Sequence, residues 1–408
     1  MRVSKGICCM EMLREGFRWY GDSDPVPLSH IAQSGAKSVF SSLHHIPYGE
    51  VWSVEEIRRH QDKVRSYGLE WDVVESVPVS EDIKLRTGDF RRHLDNYKQT
   101  IRNLAECGIR KIIYNFMPVL DWIRTDLHYL LPDGSRCLRF DPAQFAAFEI
   151  YMLKRPGAEA DYSPEQLESA KKFFDSLSDE GRRDFERSII DVFPGCKMGL
   201  EIGDVRKMLS KYDGIDAAKL KEHLHLFLGE VCPVAEECGS VMAIHPDDPP
   251  FDVLGLPRIA SRLDDFLEMF ERTPSKANTV CFCTGSLSAG GRNDIAAMAR
   301  ALSDRIRIAH LRSTQTNPDG SFFEAGHLEG SVPMPQVVWT LLNIQEKILA
   351  GGGDKIVFRP DHGRDMADDL SKPPTPNPGY SYIGRMKGLA EIRGLERGLI
   401  AANCGELK

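Results

Sequence analysis

The chain has 408 residues, of which 42% are apolar, 27% charged and 9% aromatic, enough apolar material for a large core. Lys and Arg number 52 against 60 Asp and Glu, a net charge of −8, which argues against a nucleic-acid partner. No apolar run approaches the ~18–20 residues that span a bilayer. The apolar stretch at 7–10 stops at Glu11, short of the leader that secretion requires. A cytoplasmic protein without a membrane partner is expected. Cysteines at 8, 9, 107, 137, 196, 232, 238, 281, 283 and 404 show no disulfide-scaffold spacing, and read as free thiols or metal ligands.

In chain order, a first strand is expected near Phe17–Tyr20, followed by a short apolar run at Lys37–Phe40. Ser53–Tyr67 predicts a helix with Ser53 at the N-cap and Glu56 three residues on, the spacing of a capping box. Leu69–Glu75 reads as a strand and Asp89–Cys107 as an amphipathic helix stopped by Gly108. Ile109–Phe116 predicts a strand and Asp141–Leu153 a helix. From Lys154 to about Tyr212 the composition turns charged and strand patterns vanish. Within it, Ser163-Pro164-Glu165 supplies the cap, first-turn proline and early acid of a helix start. Residues 154–212 are therefore expected as a helical insertion. A long helix over Asp216–Cys238 follows, and strands return at Ser240–His245, Asn278–Cys283, Ile306–Leu311 and Lys355–Asp361. Helices are expected at 259–271, 292–303 and 334–349, with a last one after Gly379.

Strands alternating with helices imply a parallel sheet. The tally of eight βα units favours closure into a single (β/α)8 TIM barrel over residues 1–408, with an open doubly wound sheet as the alternative. Catalytic groups of such a barrel stand at the C-terminal ends of its strands. Four consecutive expected strands end in His245 (MAIHPDDPP), Cys283 (CFCTGS), His310 (IAHLRS) and Asp361 (RPDHG). Two imidazoles, a thiolate and a carboxylate suit a divalent metal.

Each of the four has a plainer alternative. A histidine at a strand end can be a hydrogen-bonded structural residue, Cys283 can be a small core side chain like Cys281, and Asp361 can cap a turn. Their repeated position at successive strand mouths argues for one shared site. His44 and His45 stand at another strand mouth. Gly285-Ser286 and Gly290-Gly291 precede a helix and fit a phosphate cradle or a flexible βα loop. His223 and His225 lie within a helix and read as packed or solvated. Cys8 and Cys9 receive no role.

Several long segments carry a family likeness: SSLHHIPYGEVWSVEEI, YNFMPVLDWIRTDL, KRPGAEADY, HPDDPP with GLPRI, CTGS, HLRST, RPDHG and PGYSYIGRMKGLAEIRGL. They resemble the bacterial D-mannonate dehydratases of glucuronate degradation, from Trp19-Tyr20-Gly21 to the last helix. The resemblance implies a xylose-isomerase-like barrel that holds Mn²⁺ or Fe²⁺. It also implies removal of water from D-mannonate to give 2-dehydro-3-deoxy-D-gluconate. The implied metal ligands are His245, Cys283, His310 and Asp361, and the implied acid–base residues are His362 and Tyr380. The family commonly has His in an ESVP-x-H-E-x-IK stretch where this chain has Ser80, so that histidine's role does not carry over.

Dehydration needs a base for the C2 proton and an acid for the C3 hydroxyl. Arg312, two residues past His310, is the candidate grip for the substrate carboxylate, and His44 is a second candidate substrate contact. A sugar isomerase or epimerase on the same barrel is the alternative reading, because one fold hosts many chemistries. The expected assembly is a homo-oligomer such as a dimer.

Overall fold

The structure is a computed structural model describing residues 10–193, 199–373 and 375–404. Its strands in chain order are β1 (Arg14–Arg18), β2 (Ser38–Ser41), β3 (Glu70–Glu75), β4 (Lys111–Tyr114), β5 (Asp126–Leu130) and β6 (Arg136–Phe140). They continue with β7 (Val241–Ile244), β8 (Asn278–Cys283), β9 (Ile306–His310), β10 (Thr314–Thr316), β11 (Phe322–Glu324) and β12 (Val357–Arg359). Eight of them close a parallel barrel in the order β1-β12-β9-β8-β7-β4-β3-β2. The closed barrel is the architecture expected from the alternating pattern, and it excludes the open sheet.

Inside the barrel, Phe40, Val73, Ile113, Ala243, Cys281, Ile308 and Val357 form one fully buried cluster drawn from seven strands. On the remaining strand, β1, a Cβ at Gly16 would collide with the Phe40 ring. The missing side chain lets Phe40 lie across the barrel, which is why a glycine can sit in the middle of a strand. That glycine also weakens the β1 pattern, and the strand begins three residues earlier than the expected Phe17–Tyr20. Pairing still reaches Trp19, whose N–H donates to Phe40 O at 2.9 Å.

Half of the Ser53 capping box forms. Ser53 Oγ accepts from Glu56 N at 3.2 Å, while the Glu56 carboxylate turns to His45 and Arg59. The expected helix at 259–271 starts later, at Leu263, because Ala260 N and Ser261 Oγ both donate to Asp247. Residues 154–212 carry helices at Pro164–Ser176, Asp179–Ile190 and Ile202–Ser210, with no strand among the described residues. The first of these has a complete capping box between Ser163 and Gln166.

A second sheet escaped the sequence reading. Strands β10, β11, β6 and β5 form a four-stranded antiparallel layer. The two hairpins are inserted after β4 and after β9. Their strands are three to five residues long, and β5 alternates between intermediate and exposed positions, so neither length nor apolar content stands out.

The cysteines at 107, 137, 232, 238, 281, 283 and 404 are free thiols; Cys8, Cys9 and Cys196 lie outside the described residues. Among the described residues no helix is long and apolar enough to cross a membrane.

The last helix, Tyr382–Cys404, buries Glu396 against the start of β1. Its Oε1 accepts from Leu13 N at 3.2 Å, and its Oε2 has no partner. Burial pushes this carboxyl up to about 8, against the pull of the Leu13 N–H, Arg393 and Lys355. An acid with a raised folded-state pKa gives stability that is complete below its unfolded value and lost as pH rises through the folded one. The window here runs from the ordinary value of 4.5 up to about 8. Glu396→Gln is expected to match the wild type near about pH 4 and to melt a few degrees higher at about pH 9, a gain on the order of a few kcal/mol at most. Thermal melts at both pH values check this, and an equal offset at both would contradict it.

Candidate active site

The residues at the ends of β7, β8, β9 and β12 meet at one mouth of the barrel. Sheet register aligns Cys283 with His310, and His310 with Arg359. One ligand atom from each of His245, Cys283 and His310 lies within 4.8 Å of the others. His245 borders an open cavity, whereas Cys283 and His310 are fully buried.

The hydrogen bonds around the two imidazoles assign their protons. His245 Nδ1 lies 2.7 Å from Pro246 O, and a carbonyl only accepts, so Nδ1 carries the proton and Nε2 presents its lone pair. His310 Nε2 lies 3.3 Å from Cys281 Sγ and 3.4 Å from Glu75 Oε2. Its Nδ1 faces Arg359 Nη2, a donor, at 3.3 Å. The proton therefore sits on Nε2. The lone pairs of His245 Nε2 and His310 Nδ1 then face each other at 3.3 Å. Two imidazole lone pairs and a cysteine sulfur thus converge in one buried space. The donor set fits a transition-metal ion.

Asp361 stands slightly apart from this triad. Its Oδ1 accepts from Arg359 Nη1 at 2.6 Å and from the Tyr380 hydroxyl at 3.2 Å. Its Oδ2 lies 3.2 Å from Arg312 Nε and 3.5 Å from Cys283 Sγ. Burial favours the neutral acid, but Arg359 and Arg312 overcome it and hold the carboxyl well below its usual range. The backbone of Asp361 is left-handed, with φ of 60°, a conformation kept where the surroundings enforce it, often at functional sites.

His362 and Tyr380 flank Asp361. His362 Nδ1 lies 3.1 Å from Glu324 Oε1 and also touches Arg312 Nη1. The His362 and Tyr380 rings meet edge to face with centroids 4.9 Å apart. Burial raises the Tyr380 hydroxyl well above its usual range despite Arg359, so it remains protonated.

Arg312 does not reach the cavity as a free grip. Its guanidinium is enclosed by Asp248 Oδ2 at 2.8 Å, Glu324 Oε1 at 3.1 Å and Asp361 Oδ2 at 3.2 Å. All its charge is thus balanced by protein. Asp248 also binds Arg124 through both oxygens, at 2.6 and 3.1 Å. Burial works against the Asp248 charge, yet Arg124 and Arg312 hold the carboxyl far below its usual range.

Of the segment read as a phosphate cradle or flexible loop, Gly285-Ser286 lies in a buried short helix, Thr284–Ser288, and Gly290-Gly291 in the more open 3-10 turn Ala289–Gly291 that follows. Gly285 lies directly under Arg312, where any Cβ would collide with Nε. His44 lies at the cavity rim with its ring stacked on Tyr20, 5.7 Å between centroids. Ser80 caps the helix Glu81–Leu85 and bonds His93 Nδ1 at 2.9 Å, away from the cavity lining. His223 is packed, with Nδ1 2.7 Å from Lys84 O.

The cavity has a volume of about 240 Å³, below the ~300–1,000 Å³ typical for drug-sized ligands and suited to a small polar molecule. Sequence reasoning passed over Glu75, Arg18, Asp248, Glu324 and Arg359. Glu75 closes β3, so the strand-end rule applied to every expected strand selects it, whereas Arg18 closes β1 only with the observed bounds Arg14–Arg18 and not with the expected Phe17–Tyr20. Asp248 lay in the quoted HPDDPP segment. Glu324 lies on β11, a strand the sequence did not announce.

Comparisons with known proteins place the chain in a family. Residues 12–404 match the model of the D-mannonate dehydratase family. A mannonate dehydratase from Marinomonas sp. (strain MWYL1) is 49% identical over 94% of this chain and 98% of its own. One from Rhizobium meliloti (strain 1021) is 46% identical over 96% of this chain and 98% of its own. The crystal structure of mannonate dehydratase from Streptococcus suis serotype 2 superposes with a TM-score of 0.75 at 30% identity, covering 96% of each chain. Full-length matches at this identity, on a closed barrel with a preorganised His–Cys–His cluster at its mouth, mean that this chain belongs to the D-mannonate dehydratase family.

Proposed function

We propose that this chain removes water from D-mannonate to give 2-dehydro-3-deoxy-D-gluconate, a step in glucuronate breakdown, with Mn²⁺ or Fe²⁺ as its cofactor. The carrying observation is the convergence of His245, Cys283 and His310 beside a cavity flanked by His362 and Tyr380. These three residues would hold the ion, and Asp361 would complete the set from beside Cys283. When bound, the ion supplies Lewis-acid stabilisation of the negative charge that develops during elimination. A thiolate and two imidazoles favour a transition metal over Ca²⁺.

The chain's own groups move the protons. His362, steadied at Nδ1 by Glu324, takes the C2 proton. Tyr380, whose raised pKa keeps its proton in place, gives it to the departing C3 hydroxyl. Arg312 and Arg359 act from behind, fixing Asp361 by ion pairs, and Arg359 also steadies His310 through the Nη2–Nδ1 contact. The cytoplasm is the proposed location, and a homo-oligomer the proposed assembly.

Chelator-stripped protein is expected to lose the ability to form a 2-keto-3-deoxy acid from D-mannonate, with Mn²⁺ or Fe²⁺ restoring it better than Ca²⁺. Full activity in metal-free protein would refute the proposal. Binding and chemistry should also separate by mutation. Asp361→Ala is expected to lower metal content by elemental analysis. His362→Ala and Tyr380→Phe should keep their metal and lose kcat by about 10²-fold or more; a metal-free His362→Ala, or one with native kcat, would contradict the assignment. Gly285→Ala displaces an arginine that three carboxylates prevent from moving aside. It should fold and hold metal, yet lose activity by about 10²-fold, the scale of a misplaced site; native kcat would contradict the tight packing under Arg312.

A further inference from the structure

Three arginines line the cavity: Arg18, Arg312 and Arg359. Two are neutralised, Arg312 by the carboxylates around it and Arg359 by both oxygens of Glu75 and by Asp361. Arg18 differs. It is 5% exposed, yet forms no ion pair among the described residues.

Arg18 is nevertheless firmly held. Its Nη1 donates to Trp19 O at 3.2 Å and Phe40 O at 3.1 Å, and its Nη2 faces His44 Nε2 at 3.3 Å. The guanidinium lies over the Tyr20 ring, 4.2 Å from the centroid. An arginine has five N–H donors, so Nε–H and one Nη2–H remain. Those two atoms form the side edge of the guanidinium, the geometry that meets a carboxylate in two parallel bonds. Glu75, a nearby acid, is already committed to Arg359.

A buried cation without an acidic partner is costly, and a preorganised one beside a cavity is offset by an anionic ligand. We propose that Arg18 is the residue that receives the substrate's carboxylate. This rests on the reading that the cavity takes a sugar acid. Strand order places β1 next to β12, which leads into His362, and opposite β7, which leads into His245. A carboxylate at Arg18 therefore lies on the β12 side of the mouth, with the adjacent C2 and C3 beside His362 and Tyr380.

The test compares D-mannonate with its neutral amide, D-mannonamide, by KM for the acid and the competitive inhibition constant of the amide, on metal-loaded wild type, Arg18→Met and Arg18→Lys, with melting temperature and metal content as controls. The wild type is expected to bind the acid about 10²-fold more tightly than the amide. Arg18→Met should keep its metal and lose that preference, with the loss in kcat/KM residing mainly in KM. Arg18→Lys, which keeps the charge without the fork, should retain a preference reduced about tenfold. A purely structural role would weaken both ligands alike and leave the ratio unchanged, and that result would overturn the assignment. If Arg18→Met fails to fold, an unchanged ratio in Arg18→Lys does the same. If the wild type does not dehydrate D-mannonate, the functional reading fails separately. Arg18 is then judged on other six-carbon aldonates and their amides, where an acid preference that survives Arg18→Met, or is absent from the wild type, overturns it.

Discussion

Arg312 and Arg359 are both almost fully buried at the barrel mouth, and each is tolerated there only because carboxylates surround it. Arg359 joins Glu75 to Asp361, and Arg312 joins Asp361 to Asp248 and Glu324. The six side chains form a continuous chain of ion pairs at the barrel mouth. Removing one partner of such a buried pair typically costs about 3–5 kcal/mol, because the other is left uncompensated. The positions of His310, Asp361 and His362 follow from this constraint, since each touches a member of the network.

The network also explains why a second sheet accompanies the barrel. Glu324 comes from β11, and Arg124 lies just before β5. In the strand between them, Arg136 of β6 exchanges backbone hydrogen bonds with Asp365, at 2.9 and 2.8 Å. The segment Asp361–Asp365 is thus pinned at both ends, to β12 and to β6, with Glu324 steadying His362 between them. Trp122 bridges to Asp248 in the same way. A loop carrying a strained aspartate and a neighbouring histidine is fixed by four short strands.

The barrel and its mouth were largely legible in the sequence. The strand Asn278–Cys283 carries the apolar run Val280–Cys283 between helical patterns, and its last residue is of a metal-binding type. Less legible was whatever depended on contacts between distant segments. Gly16 makes β1 look weak until the Phe40 ring is seen beside it. The hairpin strands are too short and too mixed in polarity to announce themselves, and Glu324 was missed with them. Arg312 was the natural carboxylate grip by spacing alone. Only its three acidic neighbours, brought in from residues 248, 324 and 361, show that its charge is already spent. Arg18 is the reverse case, distinguished by the partner it lacks.

A mouth built in this way eliminates water from a sugar acid rather than rearranging it. Mass spectrometry of D-mannonate after incubation with the metal-loaded protein tests it most directly. A product lighter by one water, carrying a 2-keto group and a methylene at C3, is the predicted result. A product of unchanged mass, differing only in configuration or carbonyl position, would contradict the account and point to an isomerase or epimerase on the same barrel.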